Sequence, residues 1–255
     1  MTNIAIIGAG HMGSAIIEGL HKNNDNHLIV ENPINPRVDK LAEEFNFKLV
    51  HTIKDLLQNK LDYIILTTPA PITLKIAEEL KNCDDNTVII SAAAGISYDS
   101  LHQVLPNKQI ARIIPNIPVA INAGTIGLFL PDDFTKKDAI TSFLSQLGDV
   151  ISVKENQLSI VGTIGGCGPA FVDVFLDALG DAGVLNGMPR DLANKVAASM
   201  VKGSASLAFD SELVPAQLRD QVCSPGGTTI KGVAALEKNG FRNAVIEAVN
   251  KANQN

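Results

Sequence analysis

The sequence predicts an α/β amino-terminal domain with a mostly parallel sheet, followed by an all-α carboxyl-terminal domain. Three observations support this division. Short apolar runs alternate with helical patterns up to about residue 153, the alternation stops near Glu155, and long helical patterns fill the remainder. Such an alternation is typical of a sheet covered by helices on both faces. We therefore expect one domain over residues 1–154 and a second over residues 155–255, which suits a chain of 255 residues.

In the first domain, apolar runs of strand length are separated by helical patterns. Strands that are buried on both faces of a parallel sheet read as continuous apolar runs. The predicted strands are residues 3–8, 28–31, 61–67, 87–91, 109–114, 125–130 and 150–153, and the predicted helices are residues 14–22, 37–47, 72–81, 98–105 and 136–147.

In the second domain, Pro189, Pro215 and Pro225 are predicted to stand at helix starts, a favoured position for proline. Glycine inside a helix costs about 1 kcal/mol relative to alanine. Glycines within these helices therefore indicate close helix approach, either inside one chain or against a second copy. The predicted helices are residues 169–185, 190–209, 216–222, 228–238 and 242–252.

Composition argues against several classes of function. The net charge is −6 and the basic residues form no run, so nucleic-acid binding has no electrostatic support. No stretch approaches 18 uninterrupted apolar residues, so we expect no membrane span. The 3 cysteines are widely spaced and match no metal-ligand pattern, so we expect reduced thiols and no metal site. The start lacks the basic segment of a signal peptide, which makes the cytoplasm the expected location.

A glycine-rich motif follows the first predicted strand directly. Gly8 allows a tight turn, Gly10 allows a pyrophosphate to approach the backbone, and Gly13 allows close packing of the next helix. The free amides at the helix start attract phosphate. The motif therefore predicts a Rossmann-type dinucleotide site made by Gly8, Ala9, Gly10, His11, Met12 and Gly13.

The residues after the second predicted strand give conflicting indications of the cofactor. Glu31 lies where an acid binds the ribose hydroxyls of NADH. Asn32 follows it, and Arg37 is close enough in sequence to pair with the 2′-phosphate of NADPH. The sequence alone leaves both NADPH and NADH open.

Two further glycine-rich segments lie in the second half of the chain. In one of them, Ser224 can cap a helix that has Pro225 at its first position, which leaves the amides of Gly226 and Gly227 bare for a substrate carboxylate. The other, residues 162–171, reads as flexible backbone that leads into a helix, or as a packing hinge. All histidines and tyrosines lie before residue 103, so the second half has neither residue type available as a general acid.

Together these residues resemble the pyrroline-5-carboxylate reductases over essentially the whole chain. The most specific match is the segment from Asp220 to Ile230, and shorter matches occur at residues 92–96, 115–118, 187–193 and 240–242. The resemblance implies reduction of 1-pyrroline-5-carboxylate to L-proline with NADPH or NADH. It also implies a Rossmann-type domain and a helical domain that forms homodimers, which in some members assemble into rings of dimers.

The resemblance assigns roles by position. It places the substrate at Ser224, Gly226, Gly227, Thr228 and Thr229, and Thr229 matches the hydroxyl that assists protonation of the ring nitrogen. Besides Gly8 to Gly13 and Arg37, the cofactor residues would be Asn32, Thr67, Thr68, Pro69, Ala93, Ala94, Gly95, Glu155 and Gln221.

The chain departs from the family pattern at two places. Thr68 stands where the family usually has lysine, and Gly165, Cys167 and Phe171 replace two serines and a tyrosine. The changes at Gly165, Cys167 and Phe171 motivate one alternative, a non-catalytic relative that binds the cofactor and acts through its dimer. Another alternative is a β-hydroxyacid dehydrogenase-like enzyme, but residues 169–173 lack the lysine which that class requires.

Overall fold

The computed structural model describes residues 1–254 and divides into two compact units, Met1–Gly166 and a second unit that begins at Cys167. The first is an α/β unit and the second is entirely helical, so the predicted fold class is confirmed. The predicted boundary between residues 154 and 155 falls at the start of a helical segment. Leu158 and Thr163 in that segment are buried within the first unit.

One eight-stranded sheet forms the centre of the first unit. Its strand order is β3-β2-β1-β4-β5-β6-β7-β8, and among neighbouring pairs only β6 and β7 are antiparallel. The strand order reverses between the parallel neighbours β1 and β4, and dinucleotides bind at such a switch point in folds of this kind. The strands are β1 Thr2–Ile7, β2 Asn26–Glu31, β3 Lys48–Val50, β4 Tyr63–Leu66, β5 Val88–Ser91, β6 Ile110–Ile114, β7 Gly124–Phe129 and β8 Gly148–Ser152.

Two hydrophobic layers cover the faces of this sheet. Ile4 and Ile6 of β1 belong to one layer, whereas Ala5 and Ile7 belong to the other. All four residues have no exposed surface, which explains the unbroken apolar run in the sequence. The helices of this unit are α1 His11–His21, α2 Pro36–Phe45, α3 Ile53–Leu56, α4 Ala70–Glu79, α5 Tyr98–Val104, α6 Lys137–Leu144 and α7 Leu158–Val161.

Residues 162–167, for which we expect either flexible backbone or a packing hinge between helices, are helical, so the expectation of flexible backbone is wrong. The helix predicted from residue 169 is present and begins at Gly168. Gly162–Cys167 forms a π-helical turn that leads directly into the next helix. The Asn116 side chain donates a hydrogen bond to the Gly165 carbonyl oxygen at 2.9 Å. Side-chain contacts of this kind override the low helix propensity of glycine.

Five helices form the second unit, and their apolar side chains remain largely exposed in the single chain. Val174 is 72% exposed and Leu185 is 86% exposed. These helices are α8 Gly168–Leu185, α9 Arg190–Asp210, α10 Pro215–Gln221, α11 Thr228–Lys238 and α12 Phe241–Ala252.

The helical run Glu155–Leu185 is long and apolar enough to cross a membrane, judged by length and composition only. Its most apolar window has a mean hydropathy of 1.5, and 11% of that window is buried. The expectation that the chain has no membrane-spanning segment is therefore not confirmed. An uninterrupted run of apolar residues is a narrower criterion than mean hydropathy, which allows polar residues within the window.

Candidate functional site

The glycine-rich loop between β1 and α1 has the geometry that a dinucleotide requires. Gly8 has φ +93°, a conformation that side chains rarely adopt. A Cβ at Gly13 would lie 2.0 Å from the Gly8 carbonyl oxygen, so only glycine allows this close approach of helix and loop. A Cβ at Gly10 would instead lie in open space, more than 4 Å from the described residues beyond its chain neighbours. The backbone at Gly10 is thus open to a pyrophosphate.

A cavity of about 650 Å³ adjoins this loop at the carboxyl ends of the parallel strands. The position agrees with the switch point of the sheet, where β1 and β4 are neighbours. The cavity brings together six of the predicted cofactor residues. Its lining consists of Gly8, Gly10, Glu31, Asn32, Pro33, His51, Thr52, Ile53, Thr67, Thr68, Pro69, Ile72, Ile76 and Glu79.

Asn32 and Arg37 hold the glycine-rich loop through Ala9. The Asn32 Oδ1 atom accepts a hydrogen bond from the Ala9 amide at 2.9 Å. The Arg37 guanidinium donates to the Ser14 hydroxyl at 3.0 Å and also to the Ala9 carbonyl oxygen. Arg37 therefore has two partners within the protein, and its predicted contact with a 2′-phosphate stays a prediction.

The residues after β4 brace the other side of the loop. The Thr67 hydroxyl donates to the Gly8 carbonyl oxygen at 2.5 Å. The Thr68 hydroxyl lies 3.0 Å from the hydroxyl of Thr73, and Pro69 caps helix α4. His11 and Met12 open helix α1 on the opposite side of the loop.

The predicted cofactor segment Ala93–Gly95 follows β5, at the same edge of the sheet. Ala93 is buried, Ala94 is exposed and Gly95 has φ +80°. Glu155 binds the start of helix α5, which follows this segment, because its Oε1 atom accepts hydrogen bonds from the Tyr98 amide at 2.5 Å and from Arg112 at 2.6 Å. The Arg112 side chain is only 9% exposed. Glu155 thus has protein partners, and its predicted contact with the cofactor stays a prediction.

Glu31 is the buried acid of the cavity. Its residue surface is 8% exposed, and burial raises the pKa of its carboxyl group above the usual 4.5. The charge of Glu79 raises this pKa further, whereas His51 lowers it. No motif in the sequence points to Glu79 or His51, since they reach the cavity only through the packing of α4 and of the chain after β3.

The second predicted site lies in the helical unit, where a turn precedes α11. The Gly227 amide donates to the Ser224 carbonyl oxygen at 3.0 Å, and Gly226 has φ +69°. Helix α11 begins at Thr228 with Gly227 as its N-cap residue. The prediction that Ser224 caps a helix beginning at Pro225 was therefore wrong. A Pro-Gly pair favours the centre of a type II turn, and that preference prevails here.

This correction changes which amides are available to an anion. The Gly227 amide is bonded within the turn, whereas the first amides of a helix have no partner inside the helix. Those amides belong to Thr228 and Thr229, and both residues are exposed. Gln221, the other predicted residue of this unit, ends α10 and is also exposed.

No group of three or more His, Cys, Asp or Glu side chains within residues 1–254 is arranged to hold a metal ion. The predicted site residues gather at two places, the dinucleotide loop and the start of α11.

Comparison with family models matches both parts of the chain. The model for pyrroline-5-carboxylate reductase dimerisation matches residues 155–255. The model for coenzyme F420-dependent NADP oxidoreductases matches residues 3–95, which contain the glycine-rich loop.

Individual proteins are similar over nearly the whole chain. The pyrroline-5-carboxylate reductase of Synechocystis is 35% identical and that of Escherichia coli is 34% identical, and the alignments cover 98% and 97% of this chain and 95% and 94% of those proteins. The crystal structure of Plasmodium falciparum pyrroline carboxylate reductase with NADP bound has a TM-score of 0.84 at 26% identity, covering 99% of this chain and 96% of that one. The resemblance found in the sequence is confirmed, and the chain belongs to the pyrroline-5-carboxylate reductase family.

Proposed function

We propose that this protein reduces 1-pyrroline-5-carboxylate to L-proline with NADPH or NADH, the last step of proline biosynthesis. The observation that carries the proposal is the open backbone at Gly10 beside the cavity, in a chain that belongs to this family. The β-hydroxyacid dehydrogenase alternative loses its support, because the family relationship covers 98% of the chain.

The first unit holds the cofactor, whose reduced nicotinamide supplies the hydride. The amides at the start of α1 bind the pyrophosphate, since they are free of intrahelical partners and stand at the positive end of the helix dipole. Thr67 and Asn32 keep the loop in this conformation through their bonds to Gly8 and Ala9. The proposed cofactor residues remain Gly8, Ala9, Gly10, His11, Met12, Gly13, Asn32, Arg37, Thr67, Thr68, Pro69, Ala93, Ala94, Gly95, Glu155 and Gln221.

The turn before α11 and the first residues of that helix bind the substrate carboxylate. The amides of Thr228 and Thr229 donate to the carboxylate oxygens, and the positive end of the helix dipole adds to the attraction. Gly226 and Gly227 leave this approach without side chains, and Ser224 begins the turn.

Thr229 assists the protonation of the ring nitrogen that the reaction requires. Hydride adds to the carbon of the C=N bond, the ring nitrogen acquires a proton, and a secondary amine results. No histidine or tyrosine occurs after His102, so neither residue type is available from the helical unit. An imine that enters already protonated needs mainly positioning, and a weak hydroxyl donor then suffices.

The helical unit forms a homodimer, and a ring of such dimers is the larger assembly we propose. The dimerisation family model covers residues 155–255, and large apolar side chains such as Leu185 and Phe209 are exposed in the single chain. Burial of Leu185 and of other exposed apolar side chains in residues 155–185 against a second copy accounts for the apolar character of that segment without a membrane. The proposed location is the cytoplasm, in keeping with three free cysteines among the described residues.

A spectrophotometric assay of cofactor oxidation tests the proposal. We expect NADPH or NADH to be oxidised only after pyrroline-5-carboxylate is added. Binding of cofactor without turnover, in a folded and dimeric preparation, would favour the non-catalytic relative instead.

A further inference from the structure

Two carboxylates face the cavity that adjoins the glycine-rich loop. Glu31 ends β2 and is 8% exposed, while Glu79 lies on α4 and contributes to the same lining. The cavity lining within the described chain includes no lysine or arginine. Its one basic side chain is His51, whose Nδ1 atom donates to the Asn32 carbonyl oxygen at 2.8 Å. The local charge is therefore negative.

Among the lysines and arginines, the one nearest to Glu31 in the sequence is Arg37, and its guanidinium binds other groups. Arg37 donates to the Ala9 carbonyl oxygen and to the Ser14 hydroxyl, and it is absent from the residues that line the cavity. A guanidinium in this position stabilises the loop, and it leaves His51 as the one basic side chain beside the two carboxylates in the cavity lining.

We propose that Glu31, with Glu79, makes this protein select against the 2′-phosphate, so that it binds NADH more tightly than NADPH. The inference rests on the proposed function, because it takes this cavity as the cofactor site. A ribose that keeps its 2′-hydroxyl presents a donor to the carboxylate, whereas a 2′-phosphate presents roughly −1.5 to −2 charges near pH 7.

The burial of Glu31 strengthens this selection. Burial and the Glu79 charge raise the pKa of Glu31, which means that both disfavour its ionised form. A ligand hydroxyl that donates to the carboxylate opposes these two effects, since hydrogen bonds to an ionised group favour the ionised form. A phosphate instead adds a third negative group, and its repulsion grows as water is excluded.

Calorimetric titration of the intact protein with each cofactor tests the inference. We expect the wild-type Kd for NADH to be at least about tenfold lower than that for NADPH. Glu31→Gln keeps the shape of the side chain and removes its charge. It should therefore reduce the ratio of the NADPH Kd to the NADH Kd by about tenfold or more, chiefly by improving NADPH binding. Raising the salt concentration should also narrow the ratio in the wild type, because salt screens repulsion more than hydrogen bonding.

Glu78→Gln provides the matched control. Glu78 precedes Glu79 on α4, is exposed and does not line the cavity, so the same change of charge should leave the ratio unaltered. Equal or tighter binding of NADPH by the wild type would overturn the inference while leaving the proposed function intact. A ratio that Glu31→Gln does not change would also overturn it. Failure of both cofactors to bind would refute the proposed function itself.

Discussion

Gly10→Ala should weaken cofactor binding strongly while leaving the fold intact. The added Cβ would occupy the open space in front of the loop, more than 4 Å from the described residues beyond its chain neighbours. Gly10 has φ −68° and ψ −164°, angles that alanine adopts without strain. The methyl group therefore obstructs only what enters from the cavity side.

The expected magnitudes separate stability from binding. Alanine is a poorer N-cap residue than glycine, but it also restricts the unfolded chain, and the two effects of about 1 kcal/mol or less oppose each other. The melting temperature should thus change by no more than about 4 °C. Loss of one charge-assisted hydrogen bond to the pyrophosphate costs roughly 1.5–3 kcal/mol, which corresponds to an increase in Kd of about 10- to 150-fold.

Gly13→Ala is the contrasting variant. Its Cβ would lie 2.0 Å from the Gly8 carbonyl oxygen and 2.8 Å from the Thr67 hydroxyl, so helix and loop must move apart. Overpacking of this kind costs about 1–3 kcal/mol of folding stability. Thermal unfolding by circular dichroism and fluorescence titration with NADH measure the two effects. If Gly10→Ala binds cofactor with wild-type affinity, the pyrophosphate does not cross the loop at Gly10 and the reasoning is refuted.

Three further predictions concern the substrate site and the buried acid. Gly227→Val should abolish proline binding in calorimetry while cofactor binding persists, because a Cβ there would lie 2.3 Å from the Ser224 hydroxyl oxygen; unchanged proline affinity would place the carboxylate elsewhere. Thr229→Val should lower kcat more than it changes KM, by about 100-fold at most in steady-state kinetics, and an effect confined to KM would show that the hydroxyl acts in binding alone. Glu31→Gln should stabilise the fold at neutral pH. Burial raises the folded-state pKa of Glu31 above 4.5, so ionisation destabilises the fold at neutral pH, and this penalty disappears as the pH falls through the raised pKa. Denaturant unfolding at neutral and acidic pH should therefore show a stability gain that disappears in acid, and a gain that persists there would contradict the electrostatic origin.

The elements that could be predicted from the sequence are those whose local pattern and tertiary role agree. Strand β1 and the start of α1 were predictable, because an apolar run of this length indicates a buried strand and the glycine-rich motif after it indicates a tight turn into a helix. Strand β3 was missed, since Lys48–Val50 is a three-residue edge strand with one buried residue. The π-helical turn at Gly162–Cys167 was also missed, because glycine propensity gives no sign of the bond from Asn116 that holds it.

The site was predictable where a motif defines it and was missed where packing alone assembles it. Gly8, Gly10 and Asn32 meet in one cavity as their positions suggested. Glu79 joins them from a helix 48 residues after Glu31, and no sequence spacing encodes that approach. Pro225 shows a local error of another kind, since proline favours both a helix start and a turn, and the following glycine decides between them.

Transfer of deuterium from labelled cofactor tests the central claim most directly. NADH or NADPH carrying deuterium on the transferred position of the nicotinamide is incubated with the protein and pyrroline-5-carboxylate, and the product is analysed by mass spectrometry. The account predicts proline that carries one deuterium at the former imine carbon, formed in proportion to the cofactor oxidised. Oxidised cofactor without labelled proline, or no product from a folded protein that binds both ligands, would contradict it.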